Sequence, residues 1–175
     1  MRRIMVTFLL LIAYSYLYAP ENPKDVMYIA LDGDNIGSKV EIAALSNDPK
    51  QTYAISKQIR DISAATTEFV NDLSNNNAEI ILFGGDSLSF ILDKKLLNQV
   101  DLIRQFYNEK SGFTVTIGIG DTVAQASRAL LYGKLTGKNK TVLWQPTIDT
   151  QLKNLVKKET EEQKVTGILQ KAKFA

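Results

Sequence analysis

The stretch AEIILFGGDSLSFIL, residues 78–92, contains two apolar runs separated by Gly-Gly-Asp-Ser. The runs, Ala78 to Phe83 and Leu88 to Leu92, are of the type that forms strands. The glycine pair between them supplies the freedom in φ that a tight turn needs. The stretch therefore predicts a β-hairpin with an aspartate, Asp86, in its turn.

A second acidic cluster follows another short apolar run, nearer the N-terminus. Val26 to Leu31 predicts a buried strand that ends in the Asp-Gly-Asp-Asn run of residues 32–35. A helix is expected from Gly37, and a long amphipathic helix follows because apolar side chains recur at helical spacing. These apolar positions are Ile55, Ile59, Ile62, Phe69 and Leu73.

The chain after the hairpin alternates helices and strands. It contains a helix over Leu96–Tyr107, a strand over Phe113–Gly120, a helix capped by Asp121 or Thr122 that runs to Lys134, and a strand over Thr141–Trp144. The whole order is βααββαβαβ. A hairpin embedded between helical connections predicts an α+β fold, with a mixed β-sheet covered by helices.

The composition limits the chemistry that the chain can carry out. Its 175 residues suffice for one compact domain. The chain has no cysteine and no histidine, which excludes disulfides, thiolate or imidazole metal sites and the Ser-His-Asp triad. Carboxylates, lysines and hydroxyls remain, and the cations that suit oxygen ligands and phosphates are Mg²⁺ or Mn²⁺. A net charge of +2, with no basic stripe, argues against stable binding of duplex nucleic acid.

Two acidic clusters end the strands that we expect at the centre of the sheet. If these strands are adjacent, Asp32 and Asp86 face each other across one strand spacing and can share divalent cations. This is the arrangement of two-metal phosphoryl transfer. Taken singly, each cluster is also compatible with ordinary turn chemistry, in which Asp and Gly are common.

A third segment, ASRALLYGKLTGKN, supplies positive charge near a helix end. It covers residues 126–139 and is expected to place Lys134 one helical turn before Lys138. Gly137 would let the chain turn sharply there. Both ammonium groups could then reach the same phosphates.

Four segments resemble one superfamily. The segment LDGDNIG, residues 31–37, resembles the first metal-binding strand of the GGDEF nucleotidyl cyclases and of the polymerase subunit of type III CRISPR complexes. FGGDSLSF (83–90) resembles their signature hairpin, VTIGIG (115–120) the next strand, and ALLYGKLTGKN (129–139) a lysine-bearing helix of GGDEF domains. The short length and the DGDNIG wording are most similar to the minimal CRISPR polymerases, mCpol, and this resemblance implies a ferredoxin-like palm domain.

The resemblance also implies roles for individual residues. The metal ligands would be the side chains of Asp32 and Asp86, which are also the expected catalytic residues, and the backbone carbonyl of Gly33. Asp34 would be an auxiliary carboxylate. The other substrate-binding positions would be the helix N-terminal peptides of Asn35, Ile36 and Gly37, the hairpin glycines Gly84 and Gly85, and the phosphate-clamping Lys134 and Lys138.

One position departs from the family pattern. Ser87 stands where the CRISPR polymerases carry a second Asp and the GGDEF enzymes a Glu. Ser87 cannot replace a carboxylate, but Asp86 occupies the motif position that supplies the metal ligand, so Asp86 and Asp32 are expected to suffice. Ser87 would then hydrogen-bond ribose or nucleotide. A decayed cyclase that only binds nucleotide is the alternative.

The resemblance implies a nucleotidyltransferase that joins two NTPs, with ATP favoured, into a cyclic dinucleotide signal of anti-phage defence. A homodimer or higher oligomer is expected, because one site is too small for both halves of the reaction. A membrane effector could respond to the product. Two alternatives stay open: an enzyme similar to GTP cyclohydrolase on the same palm, and a catalytically silent nucleotide sensor.

The domain organisation that we predict is a hydrophobic N-terminal extension (1–25), a palm domain (26–146) and a C-terminal helical tail (147–175). The N-terminal run is short for a spanning helix. Three interpretations are open. The run is an upstream extension of a gene model whose real start is Met27, a helix at the domain or membrane surface, or an export signal. Because NTPs are cytosolic, we expect a cytoplasmic protein, with membrane association left open. The tail is expected to be a solvated helix or, alternatively, a partner-binding one.

Overall fold

A computed structural model describes residues 25–157, in which a five-stranded sheet is packed with helices. The strands are β1 (Val26–Gly33), β2 (Glu79–Gly84), β3 (Ser87–Asp93), β4 (Val115–Gly120) and β5 (Thr141–Leu143). The helices are α1 (Ile36–Leu45), α2 (Pro49–Leu73), α3 (Val100–Ser111) and α4 (Val123–Leu135), with a 3-10 helix over Lys94–Gln99. This order confirms the predicted βααββαβαβ arrangement and the α+β fold class.

Strand β1 lies at the centre of the sheet, whose order is β2-β3-β1-β4-β5. It pairs antiparallel with β3 on one side and with β4 on the other, whereas β5 runs parallel to β4. In this register Asp32 lies opposite Ser87 on β3 and opposite Thr116 on β4. The C-terminal end of β1 is therefore flanked by the hairpin and by β4.

Both faces of β1 are buried, because its alternating side chains enter two different layers. Ile29 joins apolar side chains of α2 and α3 in the main core. Tyr28 and Ala30 instead pack with Leu130 of α4. Helices α2 and α3 thus cover one face of the sheet, and α4 covers the other.

Helix α4 approaches strand β4 at backbone distance. A Cβ atom at Gly118 would lie 2.1 Å from the carbonyl oxygen of Ala126 and 2.3 Å from the backbone nitrogen of Leu130. No L side chain fits this space, so the glycine permits direct packing of helix on strand. The helix begins after Thr122, whose hydroxyl accepts a hydrogen bond from the Gln125 amide at 3.2 Å. Of the two predicted caps, the structure selects this one.

One predicted helix start and the predicted helical spacing of Lys134 and Lys138 are wrong. The helix expected from Leu96 begins at Val100, because Asp93 caps a preceding 3-10 helix by accepting from the Lys95 amide. Helix α4 ends at Leu135, so Lys138 lies in the following loop and not one helical turn beyond Lys134. The loop turns through positive φ angles, as expected at Gly137 and also at Lys138.

The chain divides after Trp144 into two compact units. In the second unit a helix covers residues 146–157. The N-terminal run up to residue 24 and the tail from residue 158 lie outside the described residues, so the interpretations of both stay predictions. Within the described range no helix is long and apolar enough to cross a bilayer.

Candidate active site

The two predicted metal-binding aspartates lie side by side where β1 meets the hairpin. Asp32 is paired with Ser87, the first residue of β3. The next residue, Gly33, donates its amide to the carbonyl oxygen of Asp86 at 3.0 Å. The backbone of the turn is thus bonded to the end of the central strand. The structure brings Asp32, Gly33 and Asp86 together, as the sequence predicts.

Close packing and turn geometry explain the glycines of this site. A Cβ atom at Gly33 would lie 2.5 Å from the side chain of Ile36 and 3.1 Å from the Cβ atom of Asp86. Gly85 has φ 60°, which glycine adopts without strain. From helix α2, the buried hydroxyl of Ser63 reaches the carbonyl oxygen of Gly85 at 2.5 Å. The hairpin turn is therefore held from two sides.

The ammonium group of Lys134 lies among four oxygen atoms at the end of β1. Its Nζ atom is 2.7 Å from the carbonyl oxygens of Asp32 and of Gly33. It is also 2.9 Å from Oδ2 of Asp32 and 2.8 Å from Oδ1 of Asp34. We call these four oxygen atoms the oxygen cage. They outnumber the three N–H bonds of an ammonium group, so the cage suits cations in general.

Asp34 is buried, and its carboxylate holds separate parts of the chain together. Oδ1 accepts from the hydroxyl of Thr116 on β4 at 2.7 Å, as well as from Lys134. Oδ2 accepts from the amide of Asn139 in the loop after α4 at 2.9 Å. Burial alone would raise the pKa of Asp34, but the hydrogen bonds from Lys134 and Thr116 and the lysine charge lower it. Its predicted role as an auxiliary carboxylate remains a prediction.

Lys138 reaches the site from the loop, by a different route from the one predicted. Its ammonium group donates to the side-chain oxygen of Asn35. Both Lys138 and Asn139 have positive φ, an uncommon conformation that neighbouring contacts must maintain. One such contact comes from Arg104 on α3, whose guanidinium donates to Asn139 Oδ1 at 3.1 Å. The two lysines do approach one region, beside Asp34 and Asn35.

The N-terminus of α1 faces the same region. Asn35 is its N-cap, in a left-handed conformation, and no side chain caps the helix among the described residues. The first amides of a helix have no partners within it, so those of Ile36 and Gly37 are suited to anion binding. A Cβ atom at Gly37 or at Gly84 would meet nothing within 4 Å. Open space therefore borders both of these predicted substrate-binding positions.

Asp86 and Ser87 differ in their surroundings, although they are neighbours. Burial, and then the negative charge of Asp32, raises the pKa of Asp86 to about 6. Two carboxylates that repel each other in this way are stabilised when a cation lies between them. Ser87 instead donates its hydroxyl to Oδ1 of Asp32 at 2.6 Å. The carboxylate of Asp32 thus has Ser87 on one oxygen and Lys134 on the other.

One residue beside this site was not predicted from the sequence. Tyr107 of α3 is fully buried, and its hydroxyl has no hydrogen-bond partner within residues 25–157. The hydroxyl lies 3.1 Å from the position that a Cβ atom of Gly33 would take. Burial and the charges of Asp86 and Asp32 raise the pKa of Tyr107. The only sequence signal was its apolar helix spacing, which describes a core residue equally well.

The donor set fits a hard cation such as Mg²⁺ or Mn²⁺. In the described part of the chain no three His, Cys, Asp or Glu side chains form a metal-binding group. Carbonyl, water or phosphate oxygens would therefore have to complete any such site, and the carbonyl oxygens of Asp32 and Gly33 already face one cation, the ammonium of Lys134. All of these ligands are oxygen atoms, which Mg²⁺ prefers. Asp32, Gly33 and Asp86 are the residues that could hold the ion.

Comparisons with known proteins identify a family that matches most of the chain. Residues 28–144 match the sequence model of a family described as mCpol, the minimal CRISPR polymerase domain. No curated protein matches the chain significantly.

Solved structures with a similar fold include CRISPR cassette subunits and GGDEF domains. The Csm1–Csm4 cassette in complex with cA4 aligns with a TM-score of 0.56 at 15% identity, over 69% of this chain. The chain spans only 21% of that longer protein. The GGDEF domain of DgcB from Caulobacter crescentus, in complex with c-di-GMP, aligns with a TM-score of 0.52 at 15% identity, over 67% of this chain and 77% of that one. The GGDEF domain of PA1120 (TpbB or YfiN) from Pseudomonas aeruginosa aligns at 0.54 and 14% identity, over 85% and 93%. These similarities show the palm-type fold.

Proposed function

The chain belongs to the minimal CRISPR polymerase (mCpol) domain family, whose palm is of the nucleotidyl cyclase type, and we propose that it joins two NTPs into a cyclic dinucleotide. In each of two steps, a ribose hydroxyl attacks the α-phosphorus of a nucleotide. A new phosphodiester bond forms, pyrophosphate leaves, and the hydroxyl proton passes to solvent. Two NTPs thus yield one cyclic dinucleotide and two pyrophosphates.

The observation that carries the proposal is the oxygen cage at the end of β1. Four oxygens of Asp32, Gly33 and Asp34 surround a lysine ammonium, and Asp86 lies beside them with its pKa raised. Such a group of oxygens and carboxylates could hold the divalent cations with which phosphoryl transfer neutralises the charge of the phosphates. An Mg²⁺ or Mn²⁺ ion bound there would lower the pKa of the attacking hydroxyl and neutralise phosphate charge.

The residues of the chain itself would bind and orient the triphosphate. The backbone N–H groups of Ile36 and Gly37 at the N-terminus of α1 would donate hydrogen bonds to phosphate oxygens. Lys138, which now contacts Asn35 beside that helix end, would add a positive charge. Lys134 would move its ammonium group from the cage to the phosphates when a divalent cation takes its place. The open space next to Gly84 would admit the nucleotide.

Two copies of the site are needed for the complete reaction. Within residues 25–157 one chain offers one oxygen cage with one helix N-terminus beside it, whereas a cyclic dinucleotide is built from two nucleotides. Symmetric pairing of two copies would bring the two nucleotides together. We therefore propose a homodimer or a higher oligomer as the active form. We also propose that ATP is the favoured substrate, that the protein works in the cytosol and that its product is a signal in anti-phage defence. A membrane effector could respond to this product.

The experiment that tests the proposal is pyrophosphate release from each NTP with Mg²⁺ or Mn²⁺. Asp32→Asn and Asp86→Asn should each lower the rate by about three orders of magnitude, because metal-based charge stabilisation supplies several kcal/mol. Asp61→Asn is the matched control, since Asp61 is an exposed helix residue that pairs only with Lys57 in the described structure. Its rate should equal that of the natural protein. Undiminished rates in both site variants would disprove the proposal.

Mass spectrometry of the product separates the proposal from its two alternatives. A cyclic dinucleotide has lost two pyrophosphates relative to its two substrates. A cyclohydrolase product would instead show water added to the base. Tight nucleotide binding without any product would identify a silent sensor. Incubation with mixed NTPs also tests the preference for ATP.

A further inference from the structure

We propose that Ser87 is a positioning residue, which orients the carboxylate of Asp32 toward the bound cation. This inference rests on the proposed function only in taking Asp32 as a cation ligand. It gives Ser87 a different role from the contact with ribose or nucleotide that the sequence suggested. The neutral hydroxyl thus contributes to the site although it cannot bind the cation as a carboxylate would.

The two oxygens of Asp32 have different partners. Oδ1 accepts the hydroxyl of Ser87 at 2.6 Å. Oδ2 lies 2.9 Å from the ammonium group of Lys134, the cation in the cage. A short O–H···O⁻ bond is among the stronger hydrogen bonds of proteins. Ser87 therefore fixes which carboxylate oxygen is turned toward the cation.

The backbone holds Ser87 in place for this role. Ser87 pairs with Gly84 across the hairpin and with Asp32 across the sheet. The preceding residue, Asp86, is bonded to Gly33 through its carbonyl oxygen. A serine side chain needs only one rotamer choice to present its hydroxyl from such a fixed position. By contrast, the terminal torsion of an aspartate is broad, so the carboxylate of Asp32 needs an external partner to become oriented.

A carboxylate at position 87 would repel the carboxylate of Asp32 in the metal-free protein instead of orienting it. Residues that face each other on adjacent strands have Cβ atoms about 4.5–5.5 Å apart, and like charges there repel. A hydroxyl gives a hydrogen bond instead and adds no charge. With a single proton, already donated to Asp32, Ser87 has no second proton to donate to a nucleotide.

The test is Mn²⁺ affinity in the absence of nucleotide, measured by electron paramagnetic resonance. Ser87→Ala should bind Mn²⁺ about 10- to 100-fold more weakly, as is typical when a group that orients a metal ligand is removed. Ser87→Thr keeps the hydroxyl in a residue that suits a strand and should bind within about threefold of the natural protein. Asp32→Asn should show the largest loss. Ser56→Ala, at an exposed position of α2, is the matched control and should bind normally.

Several results would overturn the inference. One is normal Mn²⁺ affinity in Ser87→Ala, and another is Mn²⁺ binding that survives Asp32→Asn unchanged. An Ser87→Ala variant with normal Mn²⁺ affinity and a raised KM for the NTP would show that Ser87 contacts the nucleotide. Equal losses of affinity in the alanine and threonine variants, with lowered melting temperatures, would show a structural role in the turn.

The outcome is separable from that of the proposed function. A protein that binds Mn²⁺ through Asp32 but releases no pyrophosphate would disprove the enzymatic proposal and leave the role of Ser87 intact. A protein that turns over NTPs while Ser87→Ala binds Mn²⁺ normally would do the reverse. Comparing kcat with KM in the active variants sharpens the result, because a misoriented metal ligand lowers kcat more than it raises the KM for nucleotide.

Discussion

The site has two halves that are built in different ways. The acidic edge, consisting of Asp32, Gly33, Asp86 and Ser87, is held by backbone pairing between β1 and the hairpin. The basic loop, defined here as residues 134–139 and so including the last two residues of α4, is held mainly by hydrogen bonds to the side chains of Asp34 and Asn35. A ladder of backbone bonds tolerates substitution of one side chain, whereas a network of side chains depends on each of its members. We therefore expect the basic loop to be the more fragile half.

The strongest test of this difference is Asp34→Asn. The variant keeps the shape of the side chain but removes a buried charge that Lys134, Thr116 and the Asn139 amide share. We expect the free energy of unfolding to fall by about 3 kcal/mol, as when a buried ion pair loses one partner. Urea denaturation measures this value, with Asp61→Asn as a surface control that should change it by less than about 0.5 kcal/mol. A loss as small as that of the control would contradict the fragility of the loop.

Lys134→Met tests the ion pairs of Lys134, one of which connects the basic loop to the acidic edge. Without divalent cations this variant should lose about 2 kcal/mol of unfolding free energy, because the carboxylates of Asp32 and Asp34 lose the cation between them. Millimolar Mg²⁺ should restore most of the loss, since an ion that binds only the folded state stabilises it. Urea denaturation with EDTA and with Mg²⁺ makes the comparison. If the loss is the same in both solutions, Lys134 does not occupy a cation site.

Asp101→Asn probes the outer support of the basic loop. Asp101 accepts from Arg104, which holds Asn139, and from the hydroxyl of Thr141 at 2.8 Å. Since its side chain is 42% exposed, the expected loss at pH 7 is only about 1 kcal/mol.

The loss in Asp101→Asn should also depend on pH. The hydrogen bond from Arg104 holds the pKa of Asp101 well below its ordinary value. A lowered folded-state pKa gives stability that is complete above the unfolded value of about 3.9 and is lost as the pH falls through the folded one. The deficit of the variant should therefore be constant above about pH 5 and shrink below about pH 4. Unfolding curves across this range test the sign, and a deficit that grows in acid would contradict it.

The smallest effect is expected beneath the acidic edge, for Tyr107→Phe. The change removes a buried hydroxyl that has no hydrogen-bond partner within residues 25–157. Losing such a group costs the folded state nothing, so the free energy of unfolding should stay the same or rise by about 1 kcal/mol. A fall of more than about 1 kcal/mol in urea denaturation would mean that the hydroxyl has a partner, and that the acidic edge also depends on side chains.

The difference between the acidic edge, held by backbone pairing, and the basic loop, held by side chains, also explains which parts of the molecule could be predicted. Element order and the hairpin follow from apolar periodicity and turn chemistry, which are local signals. The meeting of Asp32 with Asp86 could be predicted only on the condition that β1 and β3 are adjacent, which the structure shows. The position of Lys138 was wrong because it continues the spacing of a helix, whereas its backbone turns with positive φ beyond the end of α4 at Leu135.

The contacts of the basic loop were beyond sequence reasoning for another reason. Asp34 bonds to Thr116 and Asn139, and Arg104 bonds to Asn139, all across long separations in the chain. Polar residues of these kinds are common on surfaces, and nothing local marks them as partners. The orientation of Asp32 by Ser87 is likewise visible only once the register of β1 and β3 is known.

The packing of α4 on Gly118 links the position of Lys134 to a residue that is buried beneath the helix. A methyl group there would press on the helix backbone at Ala126 and Leu130, and the helix would have to rise from the sheet as a unit. Lys134 sits one turn beyond Leu130 and would be carried away from the carbonyls that it now reaches. The absence of a side chain at Gly118, in the middle of the sheet, thus determines where the ammonium group of Lys134 lies at the edge of the sheet.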